Sequence, residues 1–319
     1  MLVLSPIEKD TSQDMRVNKE NVLFIAAGKG FFRDGVVGEG YKFYPSYTDR
    51  SILTRLLREI SFCFPFLPSN RWFNKTIRKE NPSAILVFDP LITEEYLCWL
   101  KQTFPKAQLN FVYRNLIGKA KHLLPDQIPS DWRIWTYDDR DAKQYGLRLY
   151  HVNAYFKTFL KAKEKPEYDV LFVGKDKGRG DYLLQLKGKM EAMGLRTMFL
   201  IASDGRFSRR KHYHQKQIPY RELVDLIVRS RSILNVALEG QEGMTIRDLE
   251  SMFFGVKLLT TNKNAVTFDM YYPQNVFILN ERCLEDLPRF LETPMVNVPD
   301  EVKEKHTLEH FIEVITEAK

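Results

Sequence analysis

The sequence predicts an α/β protein of two doubly wound halves, each a parallel sheet covered by helices on both faces. Three observations predict it. Short continuous apolar runs, suited to strands buried on both faces, alternate with stretches of helical period. At 319 residues the chain exceeds one ordinary core. The strand–helix rhythm breaks once, at the charged stretch KTFLKAKEKPEY, and then restarts. The expected organisation is a first domain over residues 1–155, a linker over 156–167 and a second domain over 168–305. A helix over 306–319 then docks on either domain. Two such halves leave a cleft between them, where ligands bind.

In chain order, the run from Asn21 to Ala27 reads as a buried strand, and Gly28-Lys29-Gly30 opens a glycine-rich loop that continues to Gly40. The spacing is not GxGxxG, so a dinucleotide fingerprint is absent. Ile52 to Phe62 is an amphipathic helix, Ala84 to Phe88 a second strand, Thr93 to Thr103 a helix and Asn110 to Tyr113 a third strand. Trp132 to Thr136, a short helix closed by Gly146, and Leu147 to Val152 complete the first half. The second half begins with the strand Asp169 to Gly174, followed by the basic loop Gly174-Lys175-Asp176-Lys177-Gly178-Arg179-Gly180. A helix from Asp181 to Met193, a strand from Arg196 to Ile201 and a helix from Tyr220 to Arg229 follow.

The next unit carries the chemistry. Ile233, Leu234, Val236 and Leu238 form a strand pattern ending in the turn Glu239-Gly240-Gln241-Glu242-Gly243. Thr245 opens a helix with Ile246, Leu249, Met252 and Phe253 on one face, and Gly255 is placed to end it in a left-handed cap. A glycine-containing turn at a helix N-terminus offers backbone N–H groups and a favourable field to an anion. Arg247 adds a charged donor, and Glu250, one and a half turns in, can reach vicinal hydroxyls. The same features also describe an ordinary strand–helix turn with a threonine cap, a solvated arginine and a surface glutamate. Lys177 and Arg179 can likewise neutralise an anion at a strand's carboxyl end, or be a solvated basic loop.

The net charge of +7 favours acidic partners. Aromatic and basic residues are not interleaved on one element, so nucleic acid is not expected. A diphosphate ligand or an anionic membrane surface fits better. The cluster Arg206, Arg209, Arg210, Lys211, His212, His214 and Lys216 is the densest candidate for such a surface. No apolar run approaches the ~18 residues of a membrane span, and the four apolar residues at the N-terminus are too few for a signal peptide. Three scattered cysteines point to a reducing compartment. The expected location is therefore the cytoplasm, with peripheral contact at the inner face of the cell membrane. HExxH, paired cysteines, GxSxG and Walker A are all absent, so no metal or other cofactor is expected.

The second half resembles the donor domain of two-Rossmann-domain (GT-B) glycosyltransferases. Gln217-Ile218-Pro219-Tyr220-Arg221-Glu222-Leu223 matches their "Y…EL" segment, and Glu242 and Glu250 reproduce their E-x7-E spacing. GQEGMTIRDLESMFFGVKLLTTN is similar to a group of bacterial capsule, exopolysaccharide and lipopolysaccharide glycosyltransferases, whose pattern runs Q-x-G-x-T-x-R-x-x-E and then G-x-K-L-[IL]-T-T-N. Tyr271 to Val276 and Thr136 to Leu147 resemble further segments of that group, so the likeness spans about residues 20–315.

The resemblance implies a hexosyltransferase-type enzyme moving sugar from a nucleotide-sugar donor, a UDP-sugar, to a lipid-linked or oligosaccharide acceptor. Gly243 and Thr245 would hold the diphosphate, and Arg247 with Lys177 or Arg179 would offset leaving-group charge without a metal. Glu250 would bind ribose, with Gly174, Ile218, Tyr220, Gln241 and Met244 completing the donor site. Asp34 and Glu39, on the glycine-rich loop, are the candidates for the acceptor base, and Arg247 is the third catalytic candidate. The group's aspartate in "Y-x-W-D-S" has no counterpart here, where the chain reads Tyr113-Arg114-Asn115. That departure leaves open a non-catalytic sugar-nucleotide or glycan-binding subunit of a polysaccharide assembly complex.

Overall fold

A computed structural model describes residues 18–26, 30–48, 51–62, 69–117, 123–150, 155–204, 211–238 and 240–317. The first domain runs β1 (Val22–Ala26), α1 (Phe31–Gly38), β2 (Lys42–Pro45), α2 (Ile52–Phe62), β3 (Ala84–Phe88), α3 (Glu94–Thr103), β4 (Gln108–Val112), β5 (Arg133–Thr136), α4 (Asp139–Tyr145) and β6 (Arg148–Leu149). The second runs β7 (Tyr168–Lys175), α5 (Gly180–Ala192), β8 (Thr197–Ala202), α6 (Tyr220–Val228), β9 (Ser230–Asn235), α7 (Ile246–Phe254), β10 (Lys257–Thr260) and β11 (Val276–Ile278). Three helices, α8 (Leu287–Glu292), α9 (Asp300–Glu304) and α10 (Leu308–Glu317), follow.

Each domain is built on one parallel sheet, ordered β2-β1-β3-β4-β5-β6 in the first and β11-β10-β9-β7-β8 in the second. Counted from its own first strand, each sheet has the order 2-1-3-4-5, with β6 added at one edge of the first. This is the doubly wound arrangement, so the molecule consists of two Rossmann-like domains. Every residue of β1 and β3 is buried, as a strand covered on both faces requires. In such sheets the ligand crevice lies at the carboxyl ends where strand order reverses. Here those points are β1/β3 and β7/β9.

One element departs from the sequence expectation. Residues 31–38 form the helix α1, not a glycine-rich loop. A Cβ on Gly35 would stand 2.3 Å from the Phe156 ring, and one on Gly38 would stand 2.5 Å from Thr158 Oγ1. These glycines let the helix press against the segment that joins the domains. Gly30 and Gly40, at φ +108° and +88°, flank the helix in backbone conformations that other residues avoid. The expected strand to Val152 is short here, ending at Leu149, and residues 151–154 lie outside the described ones.

Aromatic residues tie the halves together. Phe31 lies 4.1 Å from Tyr220 and 5.1 Å from Phe156 between ring centroids, and Tyr155 stacks on Phe253 at 4.8 Å. The last helix returns to the first domain. Phe311 packs on Phe88 and Tyr150, and Gln108 Nε2 donates to the Ile315 carbonyl at 2.9 Å. A single apolar cluster therefore runs from Phe24 through Phe156 and Phe311 to Leu249.

Candidate functional site

Between the carboxyl ends of the two sheets lies a cavity of about 670 Å³. On the first-domain side it is lined by Gly30, Phe31, Phe32, Phe88, Arg114 and Tyr150. On the other side stand the end of β7, the loop after it, the start of α6 and the β9–α7 connection. The cavity thus spans both points of strand-order reversal.

The loop after β7 is organised by Asp176, which is buried. Its carboxylate accepts the Gly180 N–H at 2.8 Å, the Tyr213 hydroxyl at 2.8 Å and His214 Nε2–H at 2.7 Å. His214 Nδ1 accepts the Lys211 N–H at 3.1 Å, which leaves the proton on Nε2. Burial by itself would raise the Asp176 pKa; the hydrogen bonds from His214, Tyr213 and Gly180 outweigh it and hold it at about 2. A Cβ on Gly180 would lie 2.0 Å from the Tyr213 oxygen, so glycine is required. This frame turns Lys177 and Arg179 into the cavity. Arg179 donates to the Val236 and Lys175 carbonyls. Burial lowers the pKa of Lys177, and the neighbouring charges of Arg179 and Lys175 lower it further. Burial lowers that of Arg179 as well, with the charge of Arg247 adding to it.

The β9–α7 connection is capped from within. Thr245 Oγ1 accepts the Arg247 N–H at 3.2 Å and an Asn235 Nδ2 hydrogen at 3.0 Å, and it donates to Asp248 at 2.6 Å. Asp248 in turn accepts the Thr245 N–H at 2.7 Å, completing a capping box. Gly255 closes the helix at φ +61°. One turn in, Glu250 is fully buried. It accepts the Tyr220 hydroxyl at 2.9 Å and a charged hydrogen bond from Arg247, whose other nitrogen donates to the Val173 carbonyl at 2.8 Å. Burial pushes the Tyr220 pKa far above its usual value, keeping it a donor. A carboxylate has about four lone-pair sites, and Tyr220 and Arg247 occupy two of them.

The structure gathers most of the sequence candidates. Gly174, Lys177, Arg179, Ile218, Tyr220, Gln241, Thr245, Arg247 and Glu250 all line the cavity. Gly243 and Met244 are not in its lining: a Cβ on Gly243 would stand 3.9 Å from the Tyr137 ring of the first domain, and Met244 packs on the apolar cluster. Gln241 Oε1 accepts the Leu238 N–H at 3.2 Å, and Arg140 reaches across to the Gly240 carbonyl at 3.0 Å. Gly28, Lys29, Glu239, Arg206, Arg209 and Arg210 lie outside the described residues.

Asp34 and Glu39 are corrected. Because residues 31–38 are helical, Asp34 is exposed on α1 away from the cavity. Glu39 sits at the opposite end of α1 from Gly30 and accepts the Thr158 N–H at 2.6 Å. Burial raises its pKa, but it faces the joining segment and does not reach the cleft.

Sequence reasoning did not identify Arg114, Asn235, Asp248 or the aromatic wall as parts of the site. Asp248 carried a signal, since Thr245-x-x-Asp248 is a capping-box spacing. The remainder had none, because only the fold brings them together. Among the described residues, six cationic side chains line the cavity, Arg114, Lys175, Lys177, Arg179, Lys216 and Arg247, against one carboxylate, Glu250. Among the described residues no cluster of three or more His, Cys, Asp or Glu is arranged to hold a metal ion, and no helix is long and apolar enough to cross a membrane.

No protein-family profile and no curated protein matches the chain. Among solved structures, it is similar to the glycosyltransferase SnogD from Streptomyces nogalater. The identity is 11%, over 94% of this chain and 100% of that one, with a TM-score of 0.42. The two-domain doubly wound fold is established by the order and parallel register of the chain's own strands.

Proposed function

We propose that the chain is a glycosyltransferase of the hexosyl-transferring type that takes sugar from a nucleotide-sugar donor, a UDP-sugar, and passes it to a lipid-linked or oligosaccharide acceptor of surface polysaccharide or lipopolysaccharide. One observation carries this reading: cations crowd a cleft between two doubly wound domains, where burial first and then neighbouring positive charge lower the pKa of Lys177 and of Arg179. A diphosphate would relieve that repulsion, most of all as its leaving-group charge develops. Lys177, Arg179 and Arg247 are the residues assigned to it, and Glu250 to ribose hydroxyls. The cations perform the service a divalent metal would, so EDTA is expected to leave transfer unchanged.

Titration with UDP and a panel of UDP-sugars, read as thermal stability, tests the site. At a hundredfold excess over Kd, binding adds about 2.7 kcal/mol, a rise of roughly 4 °C for a chain of this size. Release of UDP from one donor then distinguishes an enzyme from a binding subunit. The binding-subunit reading is favoured by one fact: among the described residues, no first-domain carboxylate lines the cavity. Absence of any nucleotide-induced shift would refute both.

Contact with an anionic membrane surface belongs to the same proposal. Ile52, Leu53, Leu56, Leu57 and Ile60 lie on one face of α2 and are 74, 65, 54, 47 and 44% exposed. The turns that follow, joined to α2 by Trp72 Nε1 donating to Ser61 at 2.8 Å, expose Arg71, Lys75, Arg78 and Lys79. Apolar residues bordered by cations suit the interface of an anionic bilayer. The protein is expected to float with vesicles containing an anionic phospholipid and not with purely zwitterionic ones. The double variant Leu53→Glu, Leu56→Glu should stay behind; flotation undiminished by it would rule α2 out.

A further inference from the structure

Arg114 differs from the other arginines of the cavity. Arg179 donates to the Val236 and Lys175 carbonyls, and Arg247 to Glu250 and the Val173 carbonyl. The Arg114 guanidinium lines the cavity 4.0 Å above the Phe32 ring, and among the described residues no oxygen accepts a hydrogen bond from it. Its backbone, by contrast, is pinned. Asp89, buried at the end of β3, accepts the Arg114 N–H at 2.5 Å and Asn115 Nδ2–H at 3.2 Å, and the Tyr113 carbonyl accepts the Tyr150 hydroxyl at 2.8 Å.

A guanidinium has five N–H donors, and here they face the cavity with no protein acceptor among the described residues. Arg114 is exposed where it meets the cavity; partial desolvation lowers its pKa, and the Asp89 carboxylate opposes that shift. Phe32, Phe88, Tyr150 and Phe311 stand around it, giving apolar faces against which a sugar ring can lie. The second-domain cations Lys175, Lys177, Arg179, Lys216 and Arg247 face it from the opposite wall. A diphosphate held by those leaves the N–H donors of the Arg114 guanidinium still without an acceptor.

We propose that Arg114 is the receptor for an anionic group, carboxylate or phosphate, on the saccharide that occupies the first-domain wall. The acceptor is then an acidic or phosphorylated sugar, not a neutral one. The planar fork of arginine pairs bidentately with either group. This rests on the reading that the first-domain wall takes a saccharide, and it is separable from nucleotide binding.

The test is ligand-observed NMR titration of the UDP-loaded protein with D-glucose, D-glucuronate and glucose 6-phosphate, on the wild type and on Arg114→Gln. The wild type is expected to bind at least one anionic sugar about 10–100-fold more tightly than glucose, as a charge-assisted pair implies. Preference for glucuronate identifies a carboxylate, and preference for glucose 6-phosphate a phosphate. Arg114→Gln should erase the preference while UDP affinity stays as it was. No preference in the wild type, or a preference that survives the substitution, overturns the proposal. So does an equal loss of UDP affinity in Arg114→Gln, which would place Arg114 with the donor phosphates. If the wild type itself does not bind UDP, it is the nucleotide-sugar reading that fails.

Discussion

Arg247→Ala is expected to destabilise the fold by about 3–5 kcal/mol, the usual cost of leaving one member of a buried ion pair without its partner. Glu250 is fully buried and shares its carboxylate between the Tyr220 hydroxyl and Arg247. Removing the guanidinium leaves that charge with one neutral hydrogen bond, and it also frees the Val173 carbonyl at the end of β7. The three elements joined here, α6, α7 and β7, form the wall proposed to hold the donor, so nucleotide binding should vanish with the stability. A double variant, Arg247→Met with Glu250→Leu, separates the two effects. With no charge left buried it should recover most of the lost stability, yet still fail to bind UDP. Urea unfolding and UDP titration of the three variants measure this. An Arg247→Ala loss below about 1 kcal/mol would show that the pair is exchanging with water and does not hold the wall.

The second large effect concerns Asp176, with a defined pH signature. Its pKa in the fold is about 2, against an ordinary 3.8. A depressed carboxylate pKa contributes stability that is complete above the unfolded value and is lost as pH falls through the folded one. The shift of nearly two units corresponds to about 2 kcal/mol. Asp176→Asn should therefore be about 2 kcal/mol less stable than wild type at pH 6, with the gap closing between pH 4 and pH 2. Unfolding free energies measured across that range check it. A gap of constant size would mean that shape, not charge, is what Asp176 supplies. Because Asp176 sets the loop carrying Lys177 and Arg179, the substitution should also weaken UDP binding. Gly180→Ala should do the same by steric means, since its Cβ would displace the Tyr213 hydroxyl that Asp176 accepts.

The elements that could be read in advance share a local cause. Val22–Ala26 and Ala84–Phe88 are continuous apolar runs because both faces of a parallel sheet are covered, and that pattern needs no knowledge of partners. The start of α7 at Thr245 and its end at Gly255 follow from the chemistry of helix termini, which acts within a few residues. Glycine led the reading astray at residues 31–38 for the opposite reason. What selects Gly35 and Gly38 is the approach of Phe156 and Thr158, more than a hundred residues away, and local sequence cannot distinguish a glycine needed for contact from one needed for a turn. Asp34 and Glu39 were misplaced with that helix.

By itself, then, the sequence determined the class of fold, the places where strands and helices alternate, and a basic, glycine-containing set of loops after strands of the second half. Those properties depend on hydrophobic period and on capping, both of which are short-range. Tertiary structure decided the strand order β2-β1-β3 and β9-β7-β8, and with it which loops meet across the cleft. It also decided which cations have partners. Arg179 and Arg247 find backbone and carboxylate oxygens, whereas Arg114 opens onto the cavity with only an aromatic ring beneath it. Whether a charge is satisfied depends on neighbours brought together by long-range packing, and that is where the site's chemistry is set.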